Sequence, residues 1–203
     1  MIVLGLTGSI GMGKTQAAKA VAEMGCPVFE ADAAVHRLLA NDAGTVAEVA
    51  AAFPQCATAG AAAIDRACLG NAVFGDGPAL NRLEAILHPR VRAAAGKFLA
   101  LAEAEAKPLA VLEMPLLFET GANEDCDAVA VVTASEAVQS RRVLARPGMT
   151  PSRLAFVLSR QMPDAEKRRK ADYLVDTGSQ IHQMLPQLEE IVRILIPPAT
   201  ANS

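Results

Sequence analysis

The segment that most constrains this sequence is a glycine-rich loop close to its N-terminus. Residues 8–15 read Gly-Ser-Ile-Gly-Met-Gly-Lys-Thr and fit the pattern G-x-x-x-x-G-K-[ST]. A continuous apolar run at residues 1–6 predicts a buried strand before the loop, and apolar spacing over residues 14–24 predicts a helix after it, closed by Gly25. This context favours a phosphate cradle of backbone N–H groups and a helix N-terminus over the alternative, a glycine-rich turn with an exposed lysine.

The loop residues divide the work of holding a nucleotide. Lys14 is expected to reach the β- and γ-phosphates, and Thr15 to offer a hydroxyl to Mg²⁺. The predicted ATP-binding residues are Gly8, Gly11, Met12, Gly13, Lys14, Thr15 and Gln16. Phosphate binding alone does not define a reaction, because switches, motors and kinases share such loops. A guanine-nucleotide switch ordinarily carries N-K-x-D and D-x-x-G, and neither string occurs in this chain.

The remaining apolar pattern predicts an α/β fold. Further strands are expected at residues 27–29, 109–112, 128–132 and 173–175, with later helices at 135–144, after a cap at Thr150 or Ser152, and at 179–194. Strands that alternate with helices indicate a parallel five-stranded sheet flanked by helices. A frayed tail is expected at residues 197–203.

A long helical stretch interrupts this alternation after the second strand. We predict a nucleotide core from residues 1–32 and 107–203, an inserted helical domain at 33–106, and a lid loop at about 144–152. Turn residues divide the insertion into several short helices rather than one long one. The expected breaks are Asn-Asp-Ala-Gly at 41–44, the region of Gly60, Gly-Asp-Gly-Pro at 75–78, and His88-Pro89.

The overall charge gives no help in collecting anions. The 203 residues include 19 Lys and Arg against 22 Asp and Glu, a net charge of −3, so nucleic acid and anionic membranes have no general attraction for the chain. No basic segment followed by an apolar one opens the sequence, and its apolar runs are shorter than the roughly 20 residues of a membrane helix. We therefore predict a cytoplasmic protein without nucleic-acid or membrane partners. Its oligomeric state stays open, a monomer included.

The cysteines and one basic run carry no predicted chemistry. Cys26, Cys56, Cys68 and Cys126 are widely spaced without a C-x-x-C pair, which predicts free thiols in a reducing compartment. They have no His or Asp at ligand spacing, so neither a metal nor a nucleophile role is expected. The run Lys-Arg-Arg-Lys at 167–170 is interpreted as a solvated helix face. The alternative for one of these four side chains is that it points into the nucleotide site.

Two carboxylates follow predicted strands at the sheet edge where ligands of open α/β sheets bind. Asp32 could accept the proton of an attacking hydroxyl, and the alternative is an N-cap for a helix that begins near Ala33. Glu113 is a second candidate for the Mg²⁺ site, through a bound water. The alternative for Glu113 is a carboxylate satisfied by local backbone amides.

Several blocks, in this order, resemble the dephospho-coenzyme A kinase family over nearly the whole chain. After the glycine-rich loop come Glu-Ala-Asp (30–32), Leu-His-Pro-Arg-Val-Arg (87–92), Pro-Leu-Leu-Phe-Glu (115–119), Arg142 with Arg-Pro-Gly-Met (146–149), Arg-Gln-Met (160–162) and Lys-Ala-Asp (170–172) leading to Asp176. The resemblance implies a P-loop kinase that uses Mg²⁺ and ATP. Its reaction would be transfer of the γ-phosphate to the ribose 3′-hydroxyl of dephospho-coenzyme A.

The resemblance also implies roles for individual residues. Asp32 would be the base, His88 and Arg92 would face the acceptor, and Arg142 and Arg146 would belong to the lid and stabilise the transferring phosphoryl group. Without the resemblance, His88 is better interpreted as a helix-terminal residue before Pro89.

The sequence departs from the commonest family pattern at two positions. Glu30 stands where a first Asp is more usual, and His36 where many members have an Arg. Arg37, next to His36, is the candidate that could replace the Arg in binding the acceptor.

Two other functions remain alternatives. One is phosphorylation of another small metabolite, as in a nucleoside monophosphate kinase, and the other is a nucleotide-dependent switch or binding module. The helical insertion and the arginine-bearing loop favour a kinase that closes over a small acceptor.

Overall fold

Five parallel strands form the sheet of the computed structural model, which describes residues 1–58, 63–178 and 181–196. The strands are β1 (Ile2–Thr7), β2 (Val28–Glu30), β3 (Leu109–Glu113), β4 (Ala128–Thr133) and β5 (Tyr173–Asp176). Their order is β2-β3-β1-β4-β5, and every neighbouring pair is parallel. The predicted five-stranded parallel sheet is confirmed. Each strand ends one residue beyond the predicted apolar run.

Helices connect these strands. In chain order they are α1 (Lys14–Glu23), α2 (Ala31–Asn41), α3 (Ala43–Ala52), α4 (Arg66–Val73), α5 (Gly77–Ala104), α6 (Glu136–Leu144), α7 (Pro151–Ser159), α8 (Asp164–Lys170) and α9 (Ile181–Leu195). The chain divides into a first unit, residues 1–30 and 98–203, and a second unit, residues 31–97. No helix among the described residues combines the length and the apolar character that crossing a membrane requires.

The core of the first unit is built from the strands together with α1 and α9. Every residue of β3 and β4 is buried, as expected for strands covered on both faces. Helix α1 buries Ala17, Ala18 and Val21. It ends at Glu23, one residue before the predicted end at Met24. Gly25 closes it as predicted, with a φ of 88° that suits glycine and an N–H that donates to Ala22 O at 2.9 Å.

Aspartates begin three helices of the second unit, α3, α4 and α5. Asp42 caps α3 by accepting from Thr45 N at 2.7 Å and Thr45 Oγ1 at 2.6 Å, and these bonds lower the pKa of the Asp42 carboxyl. Asp65 caps α4, and Asp76 accepts from Ala79 N at 2.8 Å in the first turn of α5. The breaks predicted at 41–44 and 75–78 are confirmed. The break predicted near Gly60 lies outside the described residues.

The prediction of a helix break at His88-Pro89 is wrong. Helix α5 is 28 residues long and passes through Pro89. Proline lacks the N–H of the helix ladder and its ring crowds the carbonyl of the preceding turn. Arg90 supplies a side-chain donor in that turn, since its Nη1 donates to Ile86 O at 2.7 Å, next to the Ala85 carbonyl whose ladder donor Pro89 lacks. Its Nη2 pairs with Glu48 of α3.

The prediction that all four cysteines are free is wrong for two of them. Cys56, at the end of a short 3₁₀ helix (Pro54–Cys56), and Cys68 of α4 form a disulfide inside the second unit. Spacing along the sequence does not reveal the pair, because turns and helix packing bring the two residues together. Cys26 and Cys126 are free thiols, as predicted.

Helix α7 begins at one of its two predicted caps, and α9 lies close to its predicted bounds. Thr150, rather than Ser152, caps α7 by accepting from Arg153 N at 3.2 Å. The last helix is found at Ile181–Leu195 against a predicted 179–194. Residues 179–180 and the predicted tail at 197–203 lie outside the described residues.

Candidate active site

The glycine-rich loop lies between β1 and α1, where the sequence predicts it, and its glycines permit close packing. Gly11 and Gly13 have φ values of 79° and 85°, in the left-handed region that disfavours other residues. A Cβ at Gly11 would lie 2.5 Å from Val143 Cγ2, and one at Gly13 would lie 2.9 Å from Thr177 Oγ1. Helix α6 and the end of β5 therefore support the loop from behind.

Arg142 binds this loop from α6. Its guanidinium donates to Thr177 O at 2.6 Å, to Thr177 Oγ1 at 3.2 Å and to Gly11 O at 3.4 Å. The hydroxyl of Thr177 lies 2.6 Å from Met12 O. Arg142 thus lies before the predicted lid segment 144–152, on a helix, with its charge directed at the supports of the loop. No motif in the sequence signals this role of Thr177.

Lys14 contacts Glu113 at the end of the neighbouring strand β3. The Lys14 ammonium forms an ion pair with Glu113 Oε1, and Glu113 is only 3% exposed. Strands β1 and β3 are hydrogen-bonded neighbours, which brings their carboxyl ends together. The alternative, a Glu113 carboxylate satisfied by local backbone amides, does not account for this ion pair with Lys14. Glu113 is therefore a buried carboxylate beside the predicted phosphate-binding lysine.

Thr15 and Gln16 lie in the first turn of α1, and both are exposed. The Gln16 backbone N–H donates to Gly13 O at 3.0 Å, which closes that turn. The Thr15 hydroxyl and the Glu113 carboxylate flank Lys14 and are oxygen donors of the kind that Mg²⁺ prefers. The residues present thus fit a magnesium ion that arrives with a nucleotide.

Two glutamines hold the loop at Ile10, a contact that the sequence did not predict. Gln161 Oε1 accepts from Ile10 N at 3.0 Å, and Gln139 Nε2 donates to Ile10 O at 2.8 Å. Gln139 belongs to α6 and is 5% exposed, while Gln161 follows α7. The only sequence signal was the position of Gln161 in the Arg-Gln-Met block.

The interpretation of residues 167–170 as a solvated face is wrong for Lys167. Its side chain is fully buried and binds Glu119 Oε1 at 2.8 Å and Pro115 O at 3.1 Å. The other three residues of the run are exposed. A run of charges along a short helix includes a position that faces the protein, and here an acidic partner lies opposite that position.

Arg146 and the predicted lid segment follow α6. Arg146 is exposed in the turn between α6 and α7, and the same turn contains Gly148 with a φ of 74°. Arg153 Nη1 donates to Gly148 O at 3.0 Å, so part of the turn is held by α7. Arg146 therefore lies within the predicted lid segment, with its side chain open to solvent.

Asp32 and its neighbours lie at the start of the second unit. Helix α2 begins at Ala31, directly after β2, so Asp32 is an exposed residue of the first helical turn. The alternative of an N-cap for a helix beginning near Ala33 is therefore wrong. His36 follows Asp32 by four residues and shares its face of the helix, whereas Arg37 lies about 140° around the axis.

His88 and Arg92 lie within α5, and both are exposed. They are four residues apart, so they are neighbours on one face of the helix. The alternative of His88 as a helix-terminal residue is wrong, because α5 continues for several turns on each side of it. One helix face therefore presents an imidazole and a guanidinium together.

The free cysteines are poor candidates for chemistry. Burial raises the pKa of Cys126 to about 12, with a smaller contribution from Asp125 and Asp127, so its thiol is protonated at neutral pH. Burial also raises the pKa of Cys26. Within residues 1–58, 63–178 and 181–196, no cluster of three or more His, Cys, Asp and Glu side chains is arranged to hold a metal ion.

Comparisons with known proteins agree with this geometry. A family model described as dephospho-CoA kinase matches residues 2–183. The dephospho-CoA kinase of Mesorhizobium japonicum is 52% identical over 192 residues, which cover 95% of each chain. A Thermus thermophilus crystal structure superposes with a TM-score of 0.80 at 33% identity, covering 95% of this chain and 96% of that one. Dephospho-CoA kinase from Campylobacter jejuni gives 0.69 at 25% identity, covering 94% and 95%. The resemblance seen in the sequence is confirmed, and the chain belongs to the dephospho-CoA kinase family.

Proposed function

We propose that this protein transfers the γ-phosphate of ATP to the ribose 3′-hydroxyl of dephospho-coenzyme A, giving coenzyme A and ADP. This is the last step of coenzyme A synthesis, and we place it in the cytoplasm. The observation that carries the proposal is a supported phosphate loop with a lysine beside a buried carboxylate, in a chain that matches its family over residues 2–183.

The first unit supplies the nucleotide side of the reaction. Backbone N–H groups of the loop and the N-terminus of α1 hold phosphate oxygens, and Lys14 exchanges its contact with Glu113 for the β- and γ-phosphates. Thr15 and Glu113 would hold Mg²⁺, directly or through water. Such an ion neutralises charge on the phosphates as the γ-phosphoryl group leaves.

The second unit supplies the acceptor side. Asp32 accepts the proton of the 3′-hydroxyl and orients its oxygen toward the phosphorus, as a carboxylate can do for an attacking alcohol. Being exposed at the start of α2, Asp32 is accessible to such a substrate. His88 and Arg92 bind the acceptor from one face of α5. His36, which shares the Asp32 face, is a better neighbour for the acceptor than Arg37.

Two arginines complete the proposed machinery. Arg146, exposed in the turn after α6, stabilises the charge spread over the transferring phosphoryl oxygens when the lid closes. Arg142, already bound to Gly11 O and Thr177, keeps the loop in place while it adds positive charge to that region. Both roles follow the charge requirement of phosphoryl transfer.

The proposal is tested by measuring ADP release from Mg²⁺ and ATP with dephospho-coenzyme A, AMP, CMP or shikimate as the acceptor. We expect turnover with dephospho-coenzyme A that exceeds turnover with the others, and a product phosphorylated at the 3′-oxygen. Lys14→Ala is the control, and it should impair transfer to every acceptor. Turnover only with AMP or CMP would identify a nucleoside monophosphate kinase. Nucleotide binding without transfer to any acceptor would favour a switch.

A further inference from the structure

We infer that Gln161 is a positioning residue, which fixes the conformation of the phosphate loop through the backbone of Ile10. The inference rests on the proposed function only in assuming that the loop binds the phosphates of a nucleotide. It gives the Arg-Gln-Met block at 160–162 a physical role that its sequence does not reveal.

Ile10 lies in the middle of the loop, and both of its backbone polar groups are held by side-chain amides. Its N–H donates to Gln161 Oε1 at 3.0 Å, and its carbonyl accepts from Gln139 Nε2 at 2.8 Å. The adjacent Gly11, with its φ of 79°, permits the tight turn. Because glycine also adopts many other backbone conformations at little cost, the turn at Gly11 is not restrained by the glycine itself. Two fixed amides remove that freedom before the nucleotide arrives, so binding loses less conformational entropy.

Gln161 is itself held by the residue that follows it. Met162 N donates to Glu119 Oε1 at 2.6 Å, and the same oxygen pairs with the ammonium of Lys167 at 2.8 Å. Lys167 is fully buried, so it fixes Glu119 from the protein interior. The backbone next to Gln161 is therefore linked to α8 through Glu119 and Lys167, which restrains the backbone position from which the Gln161 side chain extends.

The same buried lysine also reaches the entrance of the loop. Lys167 donates to Pro115 O at 3.1 Å, and Thr7 Oγ1 donates to the same carbonyl at 3.3 Å. Thr7 is the last residue of β1, immediately before the loop. Two chains of contacts thus lead from Lys167 to the loop. One reaches Thr7, at the start of the loop, through Pro115 O. The other reaches Ile10, at its centre, through Glu119 and the backbone beside Gln161.

An amide suits the position of Gln161 better than a carboxylate would. An amide oxygen accepts the Ile10 N–H without adding charge beside a loop that must attract phosphate. A carboxylate of the same length would make the same bond but would repel the ligand. The two properties of the side chain, its reach and its neutrality, can therefore be tested separately.

The test measures binding of ADP in the presence of Mg²⁺ by calorimetry, and exchange of the Ile10 amide hydrogen by NMR, in the full-length protein. Gln161→Met should weaken ADP binding about 3- to 10-fold, the value of one hydrogen bond, and should accelerate Ile10 exchange at least about tenfold. Gln161→Glu should keep the Ile10 amide protected and still weaken ADP binding. Gln183→Met, an exposed change on α9, is the matched control and should alter neither measurement.

Gln161→Asn, whose amide is one methylene too short to reach the Ile10 N–H, decides the matter if Gln161→Met does not fold. Gln139→Leu is a separate arm on the carbonyl of Ile10. It should also weaken ADP binding, and the double variant should lose less than the product of the two single effects. Unchanged ADP affinity together with unchanged Ile10 exchange in a folded Gln161→Met or Gln161→Asn variant would overturn the inference. Neither measurement needs an acceptor, so a failure of the proposed transfer reaction would not be mistaken for a failure here.

Discussion

The two units of this protein present their predicted site residues in opposite ways. In the first unit, Thr15, Gln16 and Arg146 are exposed, but the residues that hold the loop already have partners: Lys14 binds Glu113, Arg142 binds Thr177 and Gly11, and the loop is held at Ile10. In the second unit, Asp32, Arg37 and His88 are exposed on helices whose opposite faces build the core. Nucleotide and acceptor are therefore expected to be recognised by different physical means.

The difference follows from which groups do the binding. Backbone N–H groups cannot be replaced by substitution, so a loop that binds through them depends on the side chains that hold its conformation. Exposed side chains on a helix contact a ligand directly and contribute little to the stability of the fold. Substitutions of the side chains that hold the loop should thus change stability or nucleotide affinity, and substitution of the exposed Asp32 should change catalysis alone.

The largest effect is expected from the ion pair between the buried Lys167 and the partly exposed Glu119. Lys167→Met leaves Glu119 without its cation and should lower the free energy of unfolding by about 3 kcal/mol, the lower end for a buried pair, measured by urea denaturation. Arg169→Met, on the exposed side of α8, is the matched control and should change it by less than about 0.5 kcal/mol. A Lys167 variant as stable as the Arg169 variant would show that the pair is not an anchor.

A second substitution separates the charge from the contact. Combining Lys167→Met with Glu119→Gln removes the uncompensated carboxylate while keeping an oxygen for Met162 N. The double variant should recover about 1–2 kcal/mol of the loss. If it recovers none, the cost arises from packing around the lysine stem rather than from the unpaired charge.

The next effect tests the second unit. Asp32→Asn should lower kcat at least about a hundredfold, equivalent to about 2.7 kcal/mol of activation free energy, because the amide cannot accept the proton of the 3′-hydroxyl. Binding of ATP and the urea midpoint should stay close to wild type, as expected for an exposed residue. Glu30→Gln makes the same chemical change two residues earlier and should keep most of the activity. Loss in Glu30→Gln with retention in Asp32→Asn would transfer the role of base to Glu30.

The sheet could be predicted from the sequence because parallel strands buried on both faces read as continuous apolar runs. Each predicted strand stops one residue before the observed strand does, because the observed strand ends on a polar residue that lies outside the apolar run. Examples are Thr7, Glu113 and Asp176. Such a residue still makes ladder hydrogen bonds at the carboxyl edge, where site residues lie. A polar residue after an apolar run therefore indicates two things, the end of a strand and a position at the edge where the predicted site residues lie.

The contacts that hold the loop could not be predicted in the same way. Gln161 and Ile10 are 151 positions apart, and the Cys56–Cys68 disulfide depends on helix packing inside the second unit. Lys167 carries the same charge as its three exposed neighbours, so the sequence does not distinguish it from them. Only the fold shows which of the four side chains faces the interior. Local pattern predicts elements, whereas these contacts depend on which distant elements meet.

The smallest effect concerns the proline that a sequence-based prediction places at a helix end. Arg90→Met removes the donor to Ile86 O in the turn crowded by Pro89, and should lower the free energy of unfolding by about 1 kcal/mol, measured by urea denaturation. Glu48→Gln breaks only the exposed ion pair of Arg90 and should cost less than about 0.5 kcal/mol. In a Pro89→Ala background the helix ladder is restored, so the loss from Arg90→Met should become smaller. An equal loss in both backgrounds would show that Arg90 stabilises the second unit without compensating for the proline.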